Sequence, residues 1–435
     1  MSLAIVRMGE VGLMMALLST LIWAGLLAFW GQFWRCDQRL DNSSEFSVLN
    51  VELNSKIQNL KLKTQNLFPF VCAIIPARNE ADMLPMTLRS LLLQDYPGQF
   101  HIVLVDDQST DGTGAIAVAI AAELNQSDRL TVMSAKPLPA GWTGKLWAME
   151  QGVQQAQTFD PLPDYFLLTD ADIEHDRANL LQLVTKAQHN DLDLVSLMVL
   201  LRCQSFWEKL LIPTFVFFFQ KLYPFPWVND PNRATAAAAG GCILMRRQAL
   251  TGIGGLQSLR QALIDDCSLA QQVKGQGTRA AKERDRSSFS TSAPSGKIWL
   301  GLTQSTRSLR PYDTLATIWD MVARTAYTQL GYSPLLLVGT VFGMMLVYLV
   351  SPIAAFSGAL TQNWMLSAAG LLGWVLMTIA YLPTVRLYQL SPVWAICLPA
   401  IALLYNLMTI DSAIRHWRGQ GGAWKGRTYP AGESD

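Results

Sequence analysis

The stretch that decides the fold is residues 166–173, Phe166-Leu167-Leu168-Thr169-Asp170-Ala171-Asp172-Ile173. Its apolar half has the length and composition of a short buried strand. The two carboxylates follow where such a strand leaves its sheet, and open α/β sheets bind ligands at that edge. Along an extended backbone Asp170 and Asp172 point the same way, so the pattern predicts that they hold one hard divalent cation. Turns are also rich in aspartate, and an ordinary polar turn is the alternative.

Apolar runs of strand length alternate with helical patterns on both sides of this stretch. Strands are predicted at 71–75, 101–105, 130–134, 166–169 and 192–201, and helices at 82–94, 113–124, 145–157 and 178–189. Regular alternation of strand and helix is the pattern of a mainly parallel α/β sheet.

Composition places this sheet in a membrane protein. Half of the 435 residues are hydrophobic, and the mean hydropathy is +0.21. Three blocks carry no charged side chain, and each is long enough to cross a bilayer: 11–34, 325–385 and 387–410. The first block is longer than a signal peptide and lacks a small-residue cleavage site, so we expect an uncleaved anchor.

The chain divides by composition into six parts. We expect an anchor at 1–34, a linker at 35–69, a catalytic domain at 70–311, an amphipathic interfacial helix at 312–333, transmembrane segments at 334–411 and a basic tail at 412–435. Within the catalytic domain, 206–228 is an aromatic segment and 274–297 a mobile basic loop. The aromatic segment is read as lying at the membrane surface, with a buried core helix as the alternative.

The distribution of basic residues predicts on which side of the membrane the catalytic domain lies. Arginines and lysines flank the first span and precede the second on the side of the catalytic domain, so we expect a multi-pass protein of the plasma (inner) membrane with that domain in the cytoplasm. Three later spans, at 335–357, 364–384 and 392–411, would place the tail outside, yet the tail is basic. One segment is then re-entrant, and Pro399 makes the last one a candidate.

Cysteine spacing and net charge exclude some partners. The six cysteines form no metal-type pair, so they are expected to be reduced thiols. A formal net charge of +1 gives no reason to expect nucleic acid.

Polar turns after separate strands supply a candidate site. Parallel strands bring their carboxyl ends to one edge, which gathers Glu80, Asp107, Lys145 and the two aspartates at 170 and 172. Asp107 can accept from the N3–H of uracil or a similar base, and Lys145 can offset diphosphate charge. The aspartates can hold Mg²⁺ or Mn²⁺, which would act as a Lewis acid on a leaving diphosphate.

A hydroxyl nucleophile also needs a base to take its proton. Asp265 and Asp266 are the candidates. Capping of the helix that starts there is the alternative explanation for both.

Two other motifs are weaker. Residues 112–117 fit G-x-G-x-x-A, but six polar residues separate them from the strand end, whereas a dinucleotide fingerprint needs its glycines in the turn itself. Val105-Asp106-Asp107 is similar to a phospho-acceptor receiver domain, a soluble class with no use for flanking spans.

Taken together, five stretches resemble the family 2 inverting glycosyltransferases: Ile74–Glu80, Val105–Thr113, Gly144-Lys145, Thr169–Asp172 and Ile264–Asp266. Within that family, four further stretches resemble the hopanoid-biosynthesis-associated enzymes: Trp142–Met149, Ile298–Thr303, Met321–Ala326 and Trp424–Arg427. The resemblance implies a GT-A (Rossmann-like) catalytic domain, a nucleotide-sugar donor, a divalent metal and a lipid acceptor.

The resemblance also assigns roles by position. Pro76, Ala77, Arg78, Glu80 and Asp107 shape the nucleotide pocket together with Lys145 and Asp170. Asp170 and Asp172 hold the metal, and Asp266 is the base with Asp265 beside it. Independently of the resemblance, we expect the aromatic segment 206–228 to guide a lipid hydroxyl to the base, and we assign the acceptor region to Gly240, Gly241, Phe217 and Trp227.

Two departures from the family pattern bear on function. The polar run 278–296 is longer than usual there, so we expect the loop after the base to differ in its order. The Q-x-x-R-W motif of processive synthases is absent, so we expect transfer of a single sugar to each acceptor. A polyprenyl-phosphate or ceramide-type lipid glycosyltransferase, and a catalytically silent membrane scaffold, remain the alternatives.

Overall fold

The computed structural model describes residues 2–40, 68–260, 262, 264–284, 296–419, 423–424 and 427–428. Outside these ranges lie most of the expected linker, the Ser-rich centre of the expected mobile loop and half of the expected basic tail.

Ten strands are present in the described ranges. They are β1 Val71–Ala77, β2 Phe100–Asp106, β3 Leu130–Ser134, β4 Tyr165–Thr169, β5 Ile173–Glu174, β6 Leu194–Leu200, β7 Cys242–Arg246, β8 Ile298–Ser308, β9 Ala423–Trp424 and β10 Arg427–Thr428.

Fifteen α-helices accompany them in the same ranges. The helices of the catalytic region are α2 Leu84–Leu92, α3 Thr113–Glu123, α4 Gly144–Ala156, α5 Asn179–His189, α6 Phe206–Leu222, α7 Phe225–Asn229, α8 Arg247–Gly252, α9 Asp265–Arg284, α10 Leu315–Ala323 and α11 Ala326–Gln329. The apolar helices are α1 Ser2–Phe29, α12 Pro334–Met344, α13 Val350–Leu360, α14 Trp364–Leu387 and α15 Leu398–Trp417.

Eight strands form one sheet in the order β3-β2-β1-β4-β7-β6-β8-β5. The first four pair in parallel, and β6 pairs in parallel with β8. Only β7 and the two-residue β5 run antiparallel to their neighbours. The predicted α/β class with a mainly parallel sheet is therefore confirmed, and the five strands predicted from the sequence are all present.

Both faces of the sheet are buried, as continuous apolar strands require. Side chains alternate between two clusters: Ile74 and Phe166 lie on one face, and Ile75 and Leu167 on the other. The first cluster continues without a break into the apolar helices, where it includes Tyr381 of α14. The sheet and the membrane helices thus share one core.

Helix α4 lies unusually close to the sheet at Gly152. A Cβ atom placed on this glycine would be 2.6 Å from Cγ2 of Ile74 and 3.1 Å from Cγ2 of Val105. The absence of a side chain lets the helix approach β1 and β2, and this close approach positions Lys145 at the start of the same helix.

The aromatic segment 206–228 forms α6 and α7. Ser205 and Glu208 form a capping box at the start of α6, and Phe217 is fully buried. The Thr214 and Tyr381 hydroxyls lie 2.7 Å apart, and Tyr405 Oη donates to the Leu211 carbonyl. The sequence left two interpretations open, a segment at the membrane surface and a buried helix. The structure favours the buried helix for α6, because this helix packs between the sheet and the apolar helices.

Two expectations for the later chain need correction. The continuous helix expected within 312–333 is divided into α10 and α11, because Thr325 leaves the helical conformation. The loop expected at 274–297 begins instead as helix, since α9 continues to Arg284. Lys274 is buried and donates to the carbonyls of Val228, Asp230 and Thr235.

Four helical segments of the described chain are long and apolar enough to cross a membrane: Gly9–Phe29, Pro334–Leu360, Trp364–Leu387 and Pro392–Trp417. A π-helical turn at Met345–Leu349 joins α12 to α13 within the second segment. One candidate thus precedes the sheet and three follow it.

Candidate active site

The topology of the sheet gathers the candidate residues at one edge. The carboxyl ends of β1, β2, β4 and β8 meet there because these strands run the same way. Strand β7 is antiparallel to β4 and β6, so its amino end lies at the same edge. This places Gly240 and Gly241 beside residues that follow the parallel strands.

A cavity of about 760 Å³ opens at this edge. Nine residues predicted from the sequence line it: Pro76, Glu80, Lys145, Asp170, Asp172, Gly240, Gly241, Asp265 and Asp266. The site proposed from separate turns of the sequence is therefore one continuous space.

Lys145 is the cation at the centre of this site. Its Nζ lies 2.7 Å from Oδ1 of Asp170 and 3.9 Å from Oδ2 of Asp265. Burial acts to lower the pKa of Lys145, but Asp170, Asp265 and Asp266 outweigh it and raise the pKa. Lys145 therefore stays charged throughout the physiological range, as a group that neutralises phosphate must.

Asp266 is held by two backbone donors. The Gly240 N–H donates to its Oδ2 at 2.8 Å, and the Cys267 N–H donates to its Oδ1 at 2.7 Å. An ordinary cap accepts from the second or third residue of its own helix, whereas Asp266 accepts from the following residue and from the loop before β7. Burial and the neighbouring charge of Asp265 raise its pKa to about 6, against the opposing effect of Lys145. The carboxylate is thus ionised at neutral pH but more basic than an exposed aspartate.

Gly240 lies close to both charged groups. A Cβ atom on it would be 3.3 Å from Oδ2 of Asp266 and 3.4 Å from Nζ of Lys145. A side chain at this position would therefore crowd the carboxylate and the ammonium group, and either group would have to shift slightly.

Arg310 forms ion pairs with two of the predicted acids, Asp172 and Glu80. Its Nε lies 2.8 Å from Oδ2 of Asp172, and its Nη2 lies 2.7 Å from Oε1 of Glu80. Burial raises the pKa of Asp172, although the Arg310 charge opposes the shift. The two carboxylates raise the pKa of Arg310 itself, against the effect of burial. Arg310 therefore offsets the negative charge of Glu80 and Asp172 in the wall of the cavity.

The geometric reason given for the aspartate pair is wrong. Strand β4 ends at Thr169, and Ala171 and Asp172 form a turn, so the backbone between the two acids is not extended. Asp170 contacts Lys145, while Asp172 contacts Arg310. Both side chains nevertheless line the cavity.

The donor set of the cavity fits a hard divalent cation, because Asp170 and Asp172 present carboxylate oxygens to the same space. Among the described residues, no three His, Cys, Asp or Glu side chains come together as a ready-made metal cage. A cation at this place would therefore complete its coordination with ligand oxygens or water.

The loops after β1 and β2 are bonded to each other. Asn79 accepts from the Thr110 N–H through its side chain, and its own N–H donates to Ser109 Oγ. Arg78 Nη1 donates to the Asp107 carbonyl at 2.6 Å. Asp107 is buried, and Ala77 accepts its N–H. Of the residues predicted to shape a nucleotide pocket, four line the cavity: Pro76, Glu80, Lys145 and Asp170. The other three, Ala77, Arg78 and Asp107, are not among its lining residues.

The acceptor residues proposed on α6 and α7 lie elsewhere than expected. Phe217 is buried against Phe33 and Tyr381, and Trp227 packs against Trp30, so neither lines the cavity. Phe215 and Phe219, on the same helix, do line it.

The cavity extends from the acids toward the membrane helices. Its wall there includes Phe215, Phe219, Met321, Arg324 and Arg415. Arg415 Nη1 lies 2.7 Å from Oδ1 of Asp320, which joins the end of α15 to α10. Sequence reasoning assigned no site role to Arg310, Arg324 or Arg415.

Residues 72–254 match the family model described as Glycosyl transferase family 2. This part, which is less than half of the chain, is similar to that family. The GT-A class of fold expected from the sequence is confirmed by this match together with the sheet topology. The matched residues include Lys145, Asp170 and Asp172 but end before Asp265, Asp266 and Arg310.

Two curated relatives are Beta-monoglucosyldiacylglycerol synthases, from Nostoc sp. (strain PCC 7120) and Trichormus variabilis. Each is 28% identical over 141 residues, which are 31% of this chain and 28% of the relative. The chain thus matches less than a third of the length of either protein.

Solved structures with a similar arrangement include a mannosyltransferase from Pyrobaculum calidifontis in complex with GDP-Man and Mn²⁺. It is 17% identical, covers 84% of this chain and 94% of its own, and has a TM-score of 0.41. Glucosyl-3-phosphoglycerate synthase from Mycobacterium tuberculosis is 16% identical over 60% of this chain and 79% of its own, with a TM-score of 0.36. Similarities of this strength carry no argument about substrate or mechanism.

Proposed function

We propose that the protein is a membrane-bound inverting glycosyltransferase that moves one sugar from a nucleotide-diphosphate sugar, with UDP as the expected nucleotide, to a hydroxyl of a lipid. The observation that carries this proposal is the placement of Asp266. Its carboxylate lies in the same cavity as Lys145 and Asp170, and that cavity extends to apolar helices.

The proposed step is a single displacement. Asp266 accepts the proton of the acceptor hydroxyl, and the hydroxyl oxygen forms a bond to the anomeric carbon. The bond from that carbon to the diphosphate oxygen breaks, and its electron pair leaves with the diphosphate. One displacement inverts the configuration at the anomeric carbon. A positioned base of this kind contributes about 100- to 10,000-fold to the rate.

The donor half of the site is assigned to Lys145, Asp170 and Asp172. Lys145 offsets the negative charge that develops on the diphosphate, as a preorganised cation does without reorganising during the reaction. The two aspartates would hold Mg²⁺ or Mn²⁺, which supplies further positive charge to the leaving group. Pro76 and Glu80, which line the cavity, are assigned to the nucleotide, and the bonded loops after β1 and β2 hold them in place.

The acceptor half is assigned to the wall near the membrane. Phe215, Phe219 and Met321 give this part of the cavity apolar side chains, and the helices that carry them contact the membrane helices. A lipid whose polar end carries a hydroxyl fits such a space better than a free sugar, because its apolar part stays beside apolar side chains.

The names of the curated relatives support a lipid acceptor, since both are glucosyldiacylglycerol synthases. A hopanoid acceptor rests on the resemblance of Trp142–Met149 and the three other quoted stretches. A polyprenyl phosphate or a ceramide is the alternative within the same reaction class. The proposed setting is the plasma (inner) membrane, with the catalytic domain in the cytoplasm.

The test uses the full-length protein in detergent, with lipids extracted from its host and radiolabelled UDP-sugars. Divalent-cation-dependent appearance of label in the organic phase is expected. An exposed-surface variant, Asp128→Asn, should behave like the wild type. A silent scaffold would instead transfer no label with any donor and would show no metal-dependent heat on titration with UDP-sugars.

A further inference from the structure

The last apolar segment, residues 388–417, raises a question of topology. By length and composition Pro392–Trp417 is a candidate span. If all four candidate segments crossed the membrane, the chain after Trp417 would lie opposite the catalytic domain. The basic residues of the tail favour the same side as that domain.

The helices α1 and α14 define the two sides. At one end, Gly9 of α1 lies beside Asn363, the residue before α14. At the other end, Cys36 contacts Thr384, and the Leu387 carbonyl accepts from Gln304 of β8 at 2.7 Å. The end of α14 at Leu387 is therefore the catalytic side, and the end at Asn363 is the far side.

After Leu387 the chain turns back along α14. The 3-10 stretch Pro392–Cys397 packs against that helix. The Trp374 indole N–H donates to the Ile396 carbonyl at 3.1 Å. Trp374 and Leu387 are both in α14. At 1.5 Å per residue, Trp374 lies about 20 Å along the helix axis from the catalytic-side end at Leu387. The chain has thus returned to the middle of α14 by Ile396.

Helix α15 then leads back to the catalytic side. Asn406 Nδ2 donates to the Val341 carbonyl of α12, and Ala413 packs with Tyr327 and Leu337. At its end, Trp319 Nε1 donates to Asp411, and Arg415 pairs with Asp320. Trp319 and Asp320 belong to α10, which lines the candidate active site.

We infer that residues 388–417 form a re-entrant hairpin, which enters the membrane from the catalytic side and returns to it. Three segments then cross the bilayer: α1, α12 with α13, and α14. The tail lies on the side of the catalytic domain, in agreement with its charge. This inference concerns the membrane-facing surface and does not depend on the proposed reaction.

The hairpin also specifies a surface that contacts lipid. Five large apolar side chains on it are exposed: Val393, Ile396, Leu403, Leu407 and, at its end, Trp417. Because the hairpin reaches only about the middle of α14, the first four face the acyl chains of the leaflet on the catalytic side. Arg415 at its end closes one wall of the cavity.

The test is labelling of single introduced cysteines by a membrane-impermeant maleimide, in sealed right-side-out and inverted vesicles that carry the full-length protein. Arg418→Cys reports the residue after α15, Gln362→Cys the far-side loop and Asp128→Cys the catalytic domain. All three positions are exposed. The unchanged protein gives the background from its six native cysteines.

We expect Arg418→Cys to be labelled in the same vesicles as Asp128→Cys, and Gln362→Cys in the opposite ones. A protease-cleavable tag at the C-terminus should be removed in the vesicles that expose Asp128→Cys. Labelling of Arg418→Cys together with Gln362→Cys, or protection of the tag in those vesicles, would overturn the hairpin.

Discussion

At the residue scale, the account depends on how four charged side chains share one cavity. Lys145 lies between the carboxylates of Asp170 and Asp265, and Asp266 is bonded to the backbone at Gly240. Asp170 and Asp265 share Lys145, whereas backbone N–H groups hold Asp266, so donor and acceptor functions can reside in neighbouring parts of one cavity. Single substitutions should therefore separate the two functions.

The pKa of Asp266 predicts the acid side of the pH profile. Burial and Asp265 raise this pKa to about 6, and the base acts only as the carboxylate. Below pH 6 the fraction of ionised Asp266 in the free protein falls about tenfold per pH unit, so kcat/KM should fall likewise, while above pH 7 it should be level. Steady-state assays from pH 5 to 8 measure this, with the thermal midpoint followed in parallel. A level kcat/KM down to pH 5 in a folded protein would contradict the assignment.

Gly240→Ala should disturb catalysis without preventing folding. The new methyl group would lie 3.3 Å from Oδ2 of Asp266 and 3.4 Å from Nζ of Lys145, both at the ends of side chains that can move aside. Because small displacements of reacting groups are costly, kcat should fall by about 10- to 100-fold. Unchanged kcat would mean that the closeness of these groups has no catalytic value. Gly275→Ala, at an open helical position, is the control.

Sequence reasoning found the acids but not their partners. Strand ends and Asp-rich turns are local features, so Glu80, Asp170, Asp172 and Asp266 could be located from the chain alone. Arg310 could not, because its role arises only when the end of β8 meets loops that are more than a hundred residues away in the chain. The turn at Ala171 and Asp172 was missed because propensity alone does not locate the last residue of a strand.

At the scale of elements, the packing of α4 on the sheet predicts a contrast between two glycines. Gly152→Ala places a methyl group 2.6 Å from Cγ2 of Ile74, so overpacking should cost about 1–3 kcal/mol. Gly275→Ala in α9 meets nothing within 4 Å and should stabilise the helix by about 0.5–1 kcal/mol. Thermal midpoints in detergent should move in opposite directions. A rise for both variants would mean that α4 has room to move away from the sheet.

Substitutions on the two faces of α6 should have different effects, because one face lines the cavity and the other is buried in the core. The double variant Phe215→Ala, Phe219→Ala removes apolar wall from the cavity, so the acceptor KM should rise while donor hydrolysis continues. Phe217→Ala leaves a void in the core and should lower stability by about 3–5 kcal/mol with little change in acceptor KM. The measurement is lipid titration of the transfer rate beside a thermal scan. Equal effects on KM would contradict the division of α6 into two faces.

Elements were predicted best where their periodicity was uninterrupted. The limits of β3 and the presence of α5 follow from simple apolar patterns, and both agree with the structure. The break between α10 and α11 did not follow, because the apolar pattern continues through Thr325. It results from tertiary contacts: α11 is fixed by the Tyr327 N–H, which donates to Ser412.

At the scale of the whole molecule, the sheet and the membrane helices share a continuous core. Because the sheet cannot move away from the apolar helices without opening this core, the distance between the charged end of the cavity and these helices is fixed. Composition alone predicted membrane segments on both sides of an α/β domain. It could not predict which segments cross, because a re-entrant segment and a span of this length have the same hydropathy, and the distinction comes from the contacts at both ends of 388–417.

The most direct test of the central claim compares Asp266→Asn with the wild-type protein in two assays on one preparation. Calorimetry measures binding of the UDP-sugar that the wild type uses, with Mn²⁺, and a single-turnover assay measures sugar transfer to lipid. We predict unchanged donor affinity and a transfer rate lower by about 100- to 10,000-fold, because only the proton acceptor is lost. A wild-type transfer rate in the folded variant would contradict the account.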